Sequence, residues 1–321
     1  MALRSAIIGC GGYLPPTIIT NDELAARFNL DTSDEWIRER SGIRQRHLAG
    51  PEDNCSTLAA EAARRALESA GVTADEVDVL VLATATPDSA FPATAVRVQA
   101  LLGMTRGFGF DVSAACTGFV YALSLADAMI RSGQARCALV IGSEVYSRIL
   151  DWTDRASCVL FGDGAGAVVL RAEEGERGIL STHLHSDGRH GDILHVEGGA
   201  GSTGGTGLLR MAGREVFKHA VTKLASAVDE ALEANGLSRD DVQLLVPHQA
   251  NIRIIDAMGR KLGLPKDRVV VTVDRHANTS AASIPLALDE AWREGRIRPG
   301  DLVLLEAIGG GLTWGAALAR F

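Results

Sequence analysis

What the 321-residue chain lacks narrows it first. No two cysteines stand as CxxC: Cys10, Cys55, Cys116, Cys137 and Cys158 are scattered and odd in number. That pattern argues against a disulfide framework or a zinc ribbon and predicts reduced thiols in the cytoplasm. No apolar run approaches the ~20 residues of a membrane span. The opening MALRSAIIGCGGYLPP is apolar only until its glycines and prolines, which is not a secretory layout. Positive charge is short, with 32 Lys and Arg against 40 Asp and Glu. A net charge of −8 argues against nucleic acid, whose phosphates need a positive field, and leaves room only for a local basic patch. Nine prolines against 35 glycines indicate many tight turns rather than a flexible linker protein. The expectation is a soluble cytoplasmic protein with no membrane and no nucleic-acid partner.

What is present repeats itself. ALESAGVTADEVDVLVLATATP runs from Ala66 and ALEANGLSRDDVQLLVPHQAN from Ala231, so that Gly236 follows Gly71 by 165 positions. In each, an alanine-rich helix closes on a glycine and an acidic turn leads into a buried strand. DAMIRSG from Asp127 and DEAWREG from Asp289 are two helix ends with Asp and Arg at i and i+4. GDGAGAVVL from Gly162 and GLTWGAALA from Gly311 each open a strand after a glycine turn. Three pairs in one order predict a duplicated α/β module, residues 1–173 and 174–321, packed as one unit with a site where the halves meet.

Three segments carry candidate chemistry. In FDVSAACTGFVYALSLADAMIRSG a strand ends near Val112, and apolar residues at helical spacing begin near Thr117. Cys116 falls at the turn between them, where unpaired N–H groups and the helix dipole favour an anion and lower a thiol's pKa. The alternative is a small buried core cysteine. His248 stands at the end of the strand LLVP, before a helix beginning near Asn251, and strand carboxyl ends are where α/β sites are built. VVVTVDRHANTSAASIP reads as a β-branched strand, a polar loop with Asn278 and a helix from about Ser280. Asn278 is a partner for Cys116 across the repeat, or an N-cap. IIGCGGYLPP is not a dinucleotide loop, since Pro15 and Pro16 prevent the helix that must follow. The histidines of THLHSDGRHGD (His183, His185, His190) lack a carboxylate spacing that supports a metal site. GGAGSTGGTG, from Gly198, reads as a flexible loop.

Taken together, SAACTGF around Cys116, VPHQANIRII around His248, DRHANTSAASIP around Asn278, FGDGAGA and TSDEWIRERSGIRQRH resemble the bacterial β-ketoacyl-acyl-carrier-protein synthase III family over essentially the whole chain. The resemblance implies the five-layered αβαβα thiolase fold, a homodimer and a Cys116–His248–Asn278 triad. It implies decarboxylative Claisen condensation of an acyl-CoA starter, acetyl-CoA, with malonyl-acyl-carrier protein, the opening step of fatty acid synthesis. The N–H groups of Cys116 and Gly310 would form the oxyanion hole. Loss of CO2 generates the carbanion, so no metal or organic cofactor is implied. Trp36, Arg40, Arg155, Phe217 and Asn251 match CoA-binding positions. Lys218, Arg253, Arg260 and Lys261 form candidate basic faces for docking an acidic carrier protein. Phe91 matches a residue reaching across the dimer to the acyl pocket. Ile308 and Leu312 stand where the family usually has phenylalanine, which bears on pocket shape. A sister enzyme using a longer, branched or aromatic starter, a cysteine-dependent acyltransferase or thioesterase, and a silent partner subunit are the rival readings.

Overall fold

The computed structural model describes residues 2–321. Its frame is two sheets. The first lays its strands in the order 3–13, 164–174, 137–144, 79–83 and 108–112. The second runs 244–247, 302–309, 313–320 and 178–186. Both have parallel pairs on one side (Val79–Ala83 with Cys137–Glu144, Leu244–Pro247 with Leu302–Gly309) and antiparallel pairs on the other.

Side chains along these strands point alternately to two faces, both buried, and so fix the layers. Val79 and Val81 face inward, onto Phe119, Val120 and Leu123 of the helix Gly118–Arg131 and onto Ile284 and Leu288 of the helix Ser283–Arg293. Leu244, Val303 and Leu305 of the second sheet close on the same two helices from the other side. Leu80 and Leu82 face outward, under the helix Cys55–Ala70. Leu245, Leu302 and Leu304 lie under the helices Gly213–Ala234 and Ile252–Leu262. Helix, sheet, helix pair, sheet and helix make the αβαβα stack. A strand buried on both faces needs apolar residues at consecutive positions, which is why VLVLA and LLVP show no polar alternation.

The repeat is geometric as well as textual. Turns Ala74–Glu76 and Arg239–Asp241 are both capped by a hydroxyl and an acid three residues on, Thr73 with Glu76 and Ser238 with Asp241. Asp127 pairs with Arg131 at 2.8 Å, and Asp289 with Arg293 at 2.9 Å. The elbows Ala115–Thr117 and Ser280–Ala282 begin 165 positions apart, as do the helices Gly118–Arg131 and Ser283–Arg293 that follow them.

Two expectations change. VVVT, from Val269, is not a ladder strand: only Val269 bridges Leu245, and a short helix, Val273–His276, follows. The side chain of buried Gln249 supplies the reason. Its Oε1 accepts the N–H of Thr272 (2.8 Å) and Val273 (3.1 Å), and its Nε2 donates to Val270 O (3.1 Å) and Pro247 O (2.9 Å). One carboxamide takes the place of a neighbouring strand. The glycine-rich stretch from Gly198 is the tip of a hairpin, Leu194–Gly199 with Gly205–Met211, and Gly198, Gly199 and Gly204 hold the positive φ that a side chain would resist.

Candidate active site

The site is built where the two elbows lean on the opposite halves. A Cβ on Gly309, in the second half, would sit 2.6 Å from Cys116 N; one on Gly142, in the first, would sit 2.1 Å from Ala281 O. Glycine at both positions is what lets the backbones approach so closely. Among the described residues four that are not glycine have positive φ, and three of them are here: Ala115 (47°), Ala277 (58°) and Ser280 (48°). Such conformations cost on the order of 1–3 kcal/mol each and collect at functional sites. Ala115 and Ser280 are counterparts in the repeat, and the counterpart of Cys116 is the inert Ala281.

Cys116 ends the path from strand Phe108–Val112 into helix Gly118–Arg131. It is 4% exposed. The sequence expectation of a lowered thiol pKa does not hold in this closed form. Burial pushes the Cys116 thiol up to about 12, beyond what the Ser280 hydroxyl beside it offsets. The regular helix starts only at Gly118, and desolvation of a sealed anion outweighs its end. The resting group is a protonated thiol. Cys10, Cys55, Cys137 and Cys158 are also buried, and burial raises the pKa of each.

His248 follows strand Leu244–Pro247, with its backbone N–H held by Glu306 O at 2.8 Å. Its Nδ1 lies 2.6 Å from Ser283 Oγ, and that oxygen also takes the Gln249 N–H at 3.4 Å. A hydroxyl already accepting from a backbone amide gives its own proton to Nδ1, which places the imidazole hydrogen on Nε2. Burial lowers the His248 pKa to about 3, so the ring is neutral at pH 7. Ser283 was not among the sequence candidates. Its only mark in the chain is its place at the start of a helix.

Asn278 sits in a loop pinned to the first half. Its N–H donates to Leu160 O (2.9 Å) and its C=O accepts from Gly162 N (3.0 Å). That explains FGDGAGA: a Cβ on Gly162 would meet His276 O at 2.9 Å. The carboxamide Oδ1 accepts the Ser280 N–H at 2.9 Å. Among the described residues, neither Asn278 Nδ2 nor His248 Nε2 has a hydrogen-bond partner. Both are N–H donors. Ser280 beside Cys116 and Ser283 beside His248 thus tie all three side chains to one turn, 278–283. A group presenting a nucleophile and two neutral donors suits acyl transfer through an anion on oxygen.

The remaining candidates fall into separate places. Trp36 lies between two guanidiniums, with Arg40 at 4.8 Å and Arg155 at 5.0 Å from its ring centre, on a helix capped by Ser33. Asn251 caps the helix Ile252–Leu262 and donates from Nδ2 to Arg40 O at 2.9 Å, joining that helix to the Trp36 group. Phe217 is 38% exposed and has Arg253 5.6 Å over its ring. Lys218, Arg260 and Lys261 are exposed on the same two helices. Gly310 follows the Gly309 that touches the Cys116 amide. Ile308 and Leu312 are buried in the cluster that holds Ala277. Phe91 is 85% exposed. A cleft of about 900 Å3 between Asp34, Glu39, Ile252 and Arg275 includes none of the triad. His183 and His185 both bind Glu230, at 3.2 and 2.6 Å. Among the described residues no three ligating side chains gather for a metal.

Comparison with known proteins decides the family. The models for 3-oxoacyl-[acyl-carrier-protein (ACP)] synthase III and its C-terminal part match residues 110–188 and 232–321. The chain belongs to the 3-oxoacyl-[acyl-carrier-protein] synthase III family. It is 67% identical over 320 residues to the beta-ketoacyl-[acyl-carrier-protein] synthase III of Acidiphilium cryptum, covering 99% of both chains. The corresponding protein of Rhodospirillum centenum is 66% identical, with 100% of both covered. The crystal structure of the Aquifex aeolicus synthase III superposes with a TM-score of 0.94 at 47% identity, covering 99% of this chain and 100% of that one. The protein is therefore an acyltransferase, a condensing enzyme of fatty acid biosynthesis with the thiolase fold, as the motifs implied.

Proposed function

We propose that the chain condenses an acetyl starter from acetyl-CoA with malonyl-acyl-carrier protein, releasing CoA, CO2 and a β-ketoacyl thioester, with Cys116, His248 and Asn278 as the reacting side chains. The observation that carries the reading is the donor pair: Ser283 and the Ser280 N–H occupy the acceptor atoms of His248 and Asn278 and leave only N–H groups to face substrate.

Cys116 sulfur attacks the starter thioester, and the oxygen that gains charge is held by the N–H groups of Cys116 and Gly310. Malonyl thioester then takes the place of CoA. As it loses CO2, negative charge builds on its thioester oxygen, and His248 Nε2–H and Asn278 Nδ2–H stabilise it. A neutral imidazole is suited to this, since it donates without changing charge. The carbanion attacks the acyl-cysteine and displaces the sulfur.

Adenine stacks between Trp36 and Arg155, with Arg40 at the phosphates, and pantetheine passes Phe217 and Asn251. Lys218, Arg253, Arg260 and Lys261 give the acidic carrier a basic face on a chain of net charge −8. The free edge strand Phe108–Val112, with Phe108 48% exposed, pairs two copies into a homodimer in which Phe91, itself 85% exposed, closes the partner's acyl pocket. Residues 1–173 and 174–321 are its two thiolase-like halves. No helix among the described residues is long and apolar enough to cross a membrane, in keeping with a cytoplasmic enzyme.

Intact-protein mass spectrometry after incubation with acyl-CoAs of increasing length tests the nucleophile and the starter together. Wild type should gain one acyl group and Cys116→Ser none. An adduct persisting on Cys116→Ser would refute the assignment, and preference for a long or branched chain would favour the sister enzyme.

A further inference from the structure

An oxyanion hole made of two backbone amides works only if the two are held at a set separation, and here they come from opposite halves of the chain. Among the described residues, neither the Cys116 N–H nor the Gly310 N–H donates to a backbone carbonyl. The first belongs to the elbow Ala115–Thr117, the second to the turn that joins the strands Leu302–Gly309 and Thr313–Arg320. Gly309 pairs with Thr313 across that turn, and its close approach to Cys116 N brings the turn onto the elbow. Contact alone does not fix how far along the elbow the turn sits.

Two threonine hydroxyls do. Thr117 Oγ1 donates to Thr313 O at 2.9 Å, and Thr313 Oγ1 donates to Ala114 O at 3.0 Å. The bonds are reciprocal, each half giving one hydroxyl and one carbonyl. Thr313 Oγ1 also lies 3.2 Å from Thr117 Oγ1 and 3.4 Å from Gly310 O. That one oxygen therefore reaches residues on both sides of Cys116 and the residue that carries the second amide. Thr117 is wholly buried, so no water competes for its hydroxyl. The branched side chain of Thr313 is stiff, and its methyl lies against Gly311, where a Cβ would sit 3.1 Å away. The far side of the turn is tied to Asp187, whose N–H donates to Leu312 O (2.8 Å) and whose carbonyl accepts from Leu312 N (3.0 Å). In the second elbow, 165 positions on, Ala281 and Ala282 replace Cys116 and Thr117, so the hydroxyl accompanies the thiol.

We propose that Thr117 and Thr313 are positioning residues for acyl transfer: they lash the turn 309–313 to the elbow and so set the separation of the Cys116 and Gly310 N–H groups. The inference rests on Cys116 being acylated with its oxyanion at those two amides.

The thioester oxygen gains charge only as sulfur bonds to the carbonyl carbon. Alkylation by iodoacetamide displaces iodide from a saturated carbon and makes no oxyanion. The two reactions therefore separate a hole out of position from a thiol out of position. The test is the single-turnover rate of Cys116 acylation over a range of acetyl-CoA concentrations, beside the rate of its alkylation by iodoacetamide. Full-length wild type, Thr313→Val, Thr313→Ser, Thr117→Val and Thr117→Ser are compared. Valine keeps the branched shape and removes the hydroxyl; serine keeps the hydroxyl and removes the methyl. Each valine variant should lower the maximal acylation rate about 10- to 100-fold, with the half-saturating acetyl-CoA concentration and the alkylation rate at their wild-type values. Each serine variant should recover most of the loss. Thr117→Val carries the test if Thr313→Val does not fold. Wild-type acylation in a folded valine variant overturns the proposal. Parallel loss of acylation and alkylation overturns it too, because the threonines would then hold the sulfur and not the amides. Wild type that gains no acyl group on Cys116 refutes the nucleophile itself, a different result.

Discussion

Ser283 shows how much a single hydroxyl decides. Without it Nδ1 of His248 loses the donor that fixes the tautomer, and the ring can turn its lone pair to the substrate. Ser283→Ala is expected to acylate normally but to release labelled CO2 from malonyl thioester about 10- to 100-fold more slowly, with Ser283→Thr recovering part of the rate. His248→Ala and Asn278→Ala should likewise keep acylation and lose decarboxylation. Failure of either at the acylation step would reverse the roles assigned. At this scale the sequence marked the three residues proposed to react, because each stands near a place where the chain turns into a helix. It could not mark Ser283 or Ser280, whose importance lies wholly in what they face.

Among the elements, the segment Val269–Thr272 is the informative failure. Its β-branched composition is that of a strand, and its counterpart Phe108–Val112 is one. Propensity describes a residue's fit to a pleated surface, and Gln249 supplies the hydrogen bonds instead of a ladder. Gln249→Ala would leave the Thr272 and Val273 amides buried without partners, at about 1–3 kcal/mol each. Urea unfolding should show a loss of about 2–4 kcal/mol, larger than surface substitutions give. An unchanged midpoint would mean that water replaces the carboxamide. The helix starts read from the sequence near Thr117, Asn251 and Ser280, by contrast, lie within a few residues of the observed Gly118–Arg131, Ile252–Leu262 and Ser283–Arg293, and Asn251 accepts a first-turn amide.

For the whole molecule, burial of charge sets the pH range of stability. His248 and His276 are both lowered to about 3 by burial, so between pH 3 and their ordinary value near 6.5 the unfolded chain binds more protons. Stability therefore falls as pH drops through that window. Glu306, raised to about 8 with neither oxygen hydrogen-bonded, binds its proton in the folded state from its ordinary 4.5 up to 8. There stability falls as pH rises. Melting temperature against pH should show a maximum near the crossing, and Glu306→Gln should flatten the alkaline side; an identical curve would place the carboxylate in contact with solvent. Phe108→Asp on the free edge strand should convert a dimer to a monomer in light scattering, since a desolvated charge opposes strand pairing. A dimer of unchanged affinity would move the interface elsewhere.

By itself the sequence determined the duplicated architecture and the family and pointed to the three side chains proposed to react, because helix caps, buried strands and glycine turns are local signals read within a few residues. The tertiary structure alone decided which atoms of those side chains are left free and that the Cys116 thiol is buried. Both depend on groups far apart in the chain, and desolvation, which here reverses the thiol pKa expected from a helix end, exists only once the two halves close over the site.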